Sequence, residues 1–383
     1  MMGRIFEDLD YCIFDPTGNI TALVETEVDI KDQPAAAARI MELEPDVEQV
    51  GFISYAGNTA DGGVPVSLRM AGGEFCGNAA MCAAALFAIR SGLQGGAVPV
   101  RISGASAPVM VRLERQAADS FGAAAEIPPA IRIGTVEAAA SAAEKEAAEK
   151  GQNEEVRAGG TGAAEAPGAG QCGVNATSGA GQCGATVTPG AGKCGAAEAP
   201  GAALTLPTVE MEGISHIIIE PDSGFFGIKE DSALAESLLR QWCVALGADC
   251  LGMMFLGEAV SLPECETPME DRTDNGRAIS AERGKGDSNR SAIAESRVLT
   301  PLVYVPGADT MFWENSCASG SAAAGMYLAA RTGASVDVTF DEPAGRLRVE
   351  SDPASGRTVL HGSAILRKTV SGRSQRPPEP AIH

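Results

Sequence analysis

"GGEFCGNAAMCAAALFA" (residues 72–88) sets a cysteine between a glycine pair and an alanine-rich run, and "ENSCASGSAAAGMYLAA" (residues 314–330) does so again late in the chain. In each case the small-residue run reads as a helix that the cysteine opens and a glycine closes. Cys76 to Gly92 and Cys317 to Gly333 are both spacings of 16 residues.

The likeness extends past the helices. After Gly92 come the alternating strand "AVPVRIS" (97–103), a Gly/Pro turn and "VMVRLE" (109–114). After Gly333 come "SVDVTF" (335–340), the turn "DEPAG" (341–345) and "RLRVE" (346–350). This pattern indicates an internal duplication. Further strands are expected at "YCIFDP", "ITALVET", "VEQVGFIS", "VSLRMAG", "SHIIIE", "GMMFLG" and "LVYVPG", and "LAESLLRQWCVAL" (234–246) has the spacing of an amphipathic helix. The expected fold is α/β (α+β): mixed sheets, each wrapped around a helix that begins with a cysteine, with both helix starts at the junction of the halves.

Between residues 137 and 203 the sequence narrows to Ala, Gly, Glu and Pro, and a polar stretch occupies about 263–297. Neither carries enough large apolar residues for a packed core, so both read as mobile surface insertions. The expected division is a first domain at 1–136, the Ala/Gly-rich insertion at 137–203, a second domain at 204–370 and a disordered tail at 371–383. Cys172, Cys183 and Cys194 recur every 11 residues in "GAGQCG", "GAGQCG" and "GAGKCG", which reads as low-complexity expansion rather than a metal site.

The net charge of −21 offers no complement to phosphate backbones or anionic lipid, which excludes nucleic acid and membrane surfaces as partners. The acidic amino terminus lacks the basic and apolar regions of a signal peptide, and no apolar run reaches the roughly 18 residues a membrane span needs. The expected location is cytoplasmic. There ten cysteines stay reduced, so their spacing is to be read for catalysis or metal.

A helix amino terminus carries free N–H groups and a partial positive charge. A cysteine there is expected to have a depressed pKa, and the same N–H groups bind a carboxylate. Two such starts facing each other would hold an α-carboxylate with a base on one side of the α-carbon and a thiol acid on the other, as stereoinversion requires. Cys76 and Cys317 are therefore the candidate pair. Cys12, Cys82, Cys243, Cys250 and Cys265 read as buried small apolar residues. Pyridoxal phosphate would need a Schiff-base lysine, but Lys145, Lys150, Lys193 and Lys285 sit in the polar insertions, and Lys31, Lys229 and Lys368 in charged settings without a phosphate cradle. The three histidines, His216, His361 and His383, have no ligand spacing. The expectation is no cofactor and no metal.

These motifs resemble the diaminopimelate epimerase superfamily of cofactor-independent isomerases. "CGNAAMC" (76–82) is similar to its first cysteine motif, "CASGSAA" (317–323) to its second, "TGNITALV" with Asn19 to its amino-terminal Gly-Asn strand, and "GISHIIIE" with His216 to its Gly-Asn-Pro-His segment. The resemblance implies two pseudo-symmetric domains with the active site in the cleft between them. It further implies Cys76 and Cys317 as the acid/base pair, the backbone at Gly77, Asn78, Ala318 and Ser319 on the α-carboxylate, and Asn19 and His216 near the substrate. Where diaminopimelate epimerases carry a Glu-Arg-Gly segment for the far carboxylate, this chain has Ala308, Asp309 and Thr310, and Ile214 replaces the asparagine. Without that arginine a far carboxylate goes unpaired. Within the superfamily the chain resembles the histidine racemases that supply D-histidine for opine-type metallophores.

The leading expectation is a two-thiol amino-acid racemase acting on L-histidine. The alternatives are another isomerase of the fold, such as a diaminopimelate epimerase or a proline-racemase-like or phenazine-pathway-like enzyme, and a non-catalytic binding protein. The expected partner is a small amino acid, with a homodimer the one protein assembly to look for. Glu74, Glu314 and Asp309 read first as solvated carboxylates with a substrate side chain as their other role, and His216 is balanced between a satisfied core histidine and a group serving a thiol.

Overall fold

The computed structural model describes residues 9–55, 64–138, 204–261 and 294–372. Nearly all of the Ala/Gly-rich stretch with Cys172, Cys183 and Cys194, most of the polar stretch with Cys265, and the tail from 373 lie outside the described residues.

In chain order the first half holds β1 (Tyr11–Asp15), β2 (Thr21–Val24), α1 (Gln33–Leu43), β3 (Gln49–Tyr55), β4 (Val66–Met70), α2 (Gly77–Ser91), β5 (Gly95–Ile102), β6 (Val109–Ala117) and β7 (Ser120–Ile127). Then come β8 (Arg132–Ala138), β9 (Leu204–Met211), β10 (Ile214–Ile219), α3 (Ser232–Leu246), β11 (Leu251–Ser261) and β12 (Ala294–Val305). The chain continues through β13 (Thr310–Trp313), α4 (Ala318–Thr332), β14 (Val336–Glu342), β15 (Gly345–Asp352) and β16 (Arg357–Val370). The fold is mixed α/β, and the internal likeness read from the sequence has a counterpart in strand pairing. Along β1 to β7 successive pairs run antiparallel, parallel, antiparallel, parallel, antiparallel, antiparallel. Along β9, β10, β11, β12, β14, β15 and β16 the same order recurs.

Among the described residues all sixteen strands belong to one continuous sheet. The joint is β16, which pairs β15 through Arg357–His361, β7 through Thr358–Ile365 and β1 through Ile365–Val370. By bridging β7 to β1 it closes the first seven strands, with itself as the eighth, into a barrel. β8 pairs only β9 and so lies with the second run of strands. The polar stretch expected at 263–297 ends earlier than its composition implied, because Ala294–Arg297 already form the start of β12, paired to β14. Alternation within four residues is too short a signal for a strand whose partners are 43 positions away, as Ala294 is from Asp337.

α2 fills the barrel. Its residues from Gly77 to Leu86 are buried on every face, and the helix is correspondingly apolar all round. Alanines allow the strands to approach, and Gly92 ends the helix in the left-handed region at φ 69°. α4 is the counterpart in the second half, ended by Gly333 at φ 64°. One apolar cluster contains both helices. α1 and α3 lie outside it and bury only one stripe each: Gln33, Ala36, Ala37 and Ile40 in α1, and Ala235, Leu238, Leu239, Trp242 and Cys243 in α3. Among the described residues no helix is long and apolar enough to cross a membrane.

Candidate active site

The sequence forces a change of conformation at each cysteine. Cys76 (φ −135°, ψ 108°) and Cys317 (φ −124°, ψ 100°) are extended, and the residue after each is helical, so both are N-caps. Their sulfurs accept N–H bonds from the third residue on, Ala79 N to Cys76 Sγ at 3.4 Å and Gly320 N to Cys317 Sγ at 3.3 Å. This is the capping that serine or aspartate usually performs.

The two helix starts meet. A Cβ on Gly77 would lie 3.0 Å from the Cβ of Ala318, and Asn78 Nδ2 donates to the carbonyl of Ser316 at 3.2 Å. Between them is a cavity of about 20 Å³ lined by Asn19, Glu74, Cys76, Asn78, Glu314, Cys317, Ala318 and Ser319 among others. It holds little more than a water, so a substrate enters only if the helix starts part.

Six of the eight residues expected at a site from the sequence therefore line one cavity. Gly77 supplies the contact behind it. His216 lies outside the lining: it is wholly buried on β10 against Gly252 of β11, where a Cβ would come within 2.4 Å of its Nδ1. Neither ring nitrogen has a hydrogen-bond partner, so it is a core histidine but not a satisfied one, and burial lowers its pKa to about 3.

The carboxylates correct the sequence reading most. Glu314, expected to be solvated, is 5% exposed and accepts from Gln49 Nε2 at 2.7 Å. Its carboxylate also lies close enough to the Cys317 thiol for each to shift the other's pKa, and burial pushes that of Glu314 up to about 8. Glu74 is 7% exposed, with its pKa raised by burial. Only Asp309 is out in solvent, at 89% side-chain exposure.

Three further groups carried no signal in the sequence. Glu342, at the end of β14, accepts the backbone N–H of Cys317 at 2.5 Å and the hydroxyl of Ser321, and burial raises its pKa to about 8. Glu48 accepts from Asn19 Nδ2 at 3.2 Å and from the backbone N–H and side-chain amide of Asn315, tying the approach to Cys317 onto the first half. Gln49 braces Glu314. Their partners are 21 or more positions away, and strand alternation alone reports none of these contacts.

The depressed thiol pKa values expected at helix starts are also overturned. Burial is the largest influence on both thiols and raises both, well above the ordinary value for Cys317. Glu314 and Glu74 beside Cys76, and Glu314 and Glu342 beside Cys317, push the same way against the N–H groups of the helix starts. In the closed cavity each sulfur is a thiol, and Glu314 and Glu342 are the neighbouring carboxyls raised to about 8, Glu314 alone acting on both thiols. Cys12, Cys82, Cys243 and Cys250 are buried, as read from the sequence. Among the described residues no three His, Cys, Asp or Glu side chains converge as a metal site would need.

The family model of the histidine racemase CntK N-terminal domain matches residues 8–151 and 293–361, more than half of the chain. A histidine racemase of Fusobacterium nucleatum is 38% identical over 91 residues, 23% of this chain and 31% of that protein. One of Staphylococcus aureus is 38% identical over 74 residues, 19% of this chain and 26% of its own length. The matched segment thus spans about a third of the length of these curated relatives or less. Among solved structures, a phenazine biosynthesis protein of the PhzF family from Bacillus anthracis superposes with a TM-score of 0.45 at 10% identity, over 95% of this chain and 97% of that one. A hydroxyproline epimerase from Agrobacterium vitis, with bound trans-4-hydroxy-L-proline, gives 0.46 at 10% identity over 96% and 92%.

Proposed function

The chain belongs to the family of the histidine racemase CntK N-terminal domain, and from that premise and the geometry of its site we propose that it is a cofactor-independent amino-acid racemase using two cysteines, with histidine as substrate. The observation that carries the reading is the meeting of two cysteine-capped helix starts in one buried cavity. In this scheme the two halves of the chain act as two domains that part to admit the amino acid. The α-carboxylate lies on the backbone N–H groups of Gly77, Asn78, Ala318 and Ser319, where two helix dipoles converge.

Glu314 accepts the proton of the Cys317 thiol, and the resulting thiolate takes the α-proton from one face. The Cys76 thiol gives its proton to the opposite face of the carbanion. The α C–H bond breaks as an S–H bond forms on Cys317, and the S–H bond of Cys76 breaks as the new C–H bond forms. This leaves Cys76 as the thiolate with the proton on Glu314; the substrate of opposite hand reacts from that state by the reverse steps, and return of the proton from Glu314 to Cys76 restores the starting form. Removing water from the cavity strengthens the hold of the N–H groups on the charge that develops.

The test is incubation of the reduced protein with each L-amino acid in D₂O, following the α-proton by NMR and the enantiomers by chiral chromatography. Deuterium at the α-carbon of histidine together with D-histidine is the expected result. Exchange in another amino acid alone would retain the two-thiol scheme and discard histidine, and exchange in none would discard both.

A further inference from the structure

Beside the thiol cavity opens a cleft of about 740 Å³ between the loops that precede α2 and those that follow β9 and β12, and Glu74 lines both spaces. We propose that Glu74 selects the substrate by its side chain, accepting a hydrogen bond from a ring N–H or a protonated nitrogen of an amino acid whose α-carbon lies between Cys76 and Cys317. This rests on the racemase reading above and adds to it the group that reads the side chain.

Glu74 is 7% exposed, yet its Oε2 has no hydrogen-bond partner. A buried, unsatisfied carboxylate oxygen costs on the order of 1–3 kcal/mol. Such a cost is offset when a donor arrives with the ligand. Arg69 acts on this carboxylate through its charge without bonding to it, its Nη1 being bonded to the carbonyl of Met70 at 2.7 Å and to Gln33. Access depends on a glycine: a Cβ at Gly72 would stand 2.7 Å from Glu74 Oε2.

The rest of the cleft points to the same class of ligand. Its charged lining residues are Glu74, Glu212 and Asp249, with no lysine or arginine among them. Glu212 is already occupied by the N–H and hydroxyl of Ser106 at 2.6 and 2.7 Å, which leaves the deeper Glu74 as the carboxyl next to the thiols. An acidic cleft repels a side chain ending in a carboxylate and favours one bearing an N–H or a positive charge. Imidazole meets that requirement.

The probes are L-histidine and β-(2-thienyl)-L-alanine, a five-membered ring of similar shape with no N–H. In the native enzyme kcat/KM for α-proton exchange should favour histidine by on the order of 10- to 100-fold, the range for a hydrogen bond to a charged group. Glu74→Leu should lower histidine at least tenfold more than the thienyl analogue, with Glu74→Gln intermediate. Equal loss on both substrates, or no change in the ratio, would overturn the proposal. Calorimetric binding to the Cys317→Ser protein separates this from the racemase reading. A preference for histidine that Glu74→Leu erases there, with no exchange in the native enzyme, would sink racemisation and keep the selectivity. Equal binding of the two ligands would sink the selectivity alone.

Discussion

A Cβ built on Gly77 stands 3.0 Å from the Cβ of Ala318, so the first residues of α2 and α4 bear directly on each other. The spacing of the two sulfurs is thereby set by the absence of one methyl group. Gly77→Ala requires Ala318 to give way by a few tenths of an ångström, and Ile127 Cδ1 at 3.4 Å limits escape to the other side. Alanine also leaves the unfolded chain fewer conformations to lose than glycine does, which favours the folded state by roughly 0.4–1 kcal/mol at a helical position. The expected outcome is a melting temperature unchanged or raised with turnover reduced about tenfold or more, since small displacements of reacting groups are costly. Thermal melts and racemisation rates on the same preparation check it.

Cys76→Ala and Cys317→Ala each remove one of the two proton carriers. Both should lose racemisation by on the order of 10²-fold or more. The enzyme should also depend on reductant, because a bond between the two sulfurs would consume both carriers at once. Full turnover in either variant, or after oxidation of this pair, would contradict the two-thiol scheme.

Glu314→Gln keeps the bond from Gln49 but cannot take the Cys317 proton. Because burial holds the Glu314 pKa at about 8, native activity should climb as pH rises through that value. In the variant, rate should drop by on the order of 10²-fold and the limb should vanish. Glu342→Gln, which leaves Glu314 in place, should retain the limb. Rate profiles from pH 6 to pH 9 on the three proteins distinguish the cases.

Stability should fall between about pH 6.5 and pH 8. Glu314 and Glu342 have native pKa values raised from 4.5 to about 8, so their contribution is complete below the unfolded value and is lost as pH rises through the native one. His216 works in the opposite sense. Its native pKa of about 3 against 6.5 unfolded adds stability as pH rises, but that gain is complete by about pH 6.5. Above it only the carboxylates change. Glu342→Gln should flatten the decline, measured as the denaturant midpoint across that range.

Much of the fold was legible because its signals are local. Cysteine, alanine run and terminal glycine mark α2 and α4 within single turns, and the equal spacing of 16 residues exposed the repeat. The cysteine pair followed from those motifs, and its cavity partners Asn19, Asn78, Ala318 and Ser319 from the resemblance to the diaminopimelate epimerase superfamily. What could not be read was set by distance along the chain. Glu342 reaches Cys317 from 25 residues away, and Gln49 reaches Glu314 from 265 away. The thiol pKa values were misjudged for the same reason, since the helix start is local while the burial and carboxylates that outweigh it arrive from other elements.

β16 also bears on how the molecule comes to exist. It follows every other described strand in the chain, yet it closes the barrel begun by Tyr11 and completes the sheet that carries α4. Until residues 357–370 leave the ribosome, β1 and β7 each present an unpaired edge, and the alanine helix between them lacks part of its wall. Both halves of the candidate site are thus completed by the same strand. A chain truncated before it is poised for aggregation rather than for half of that site.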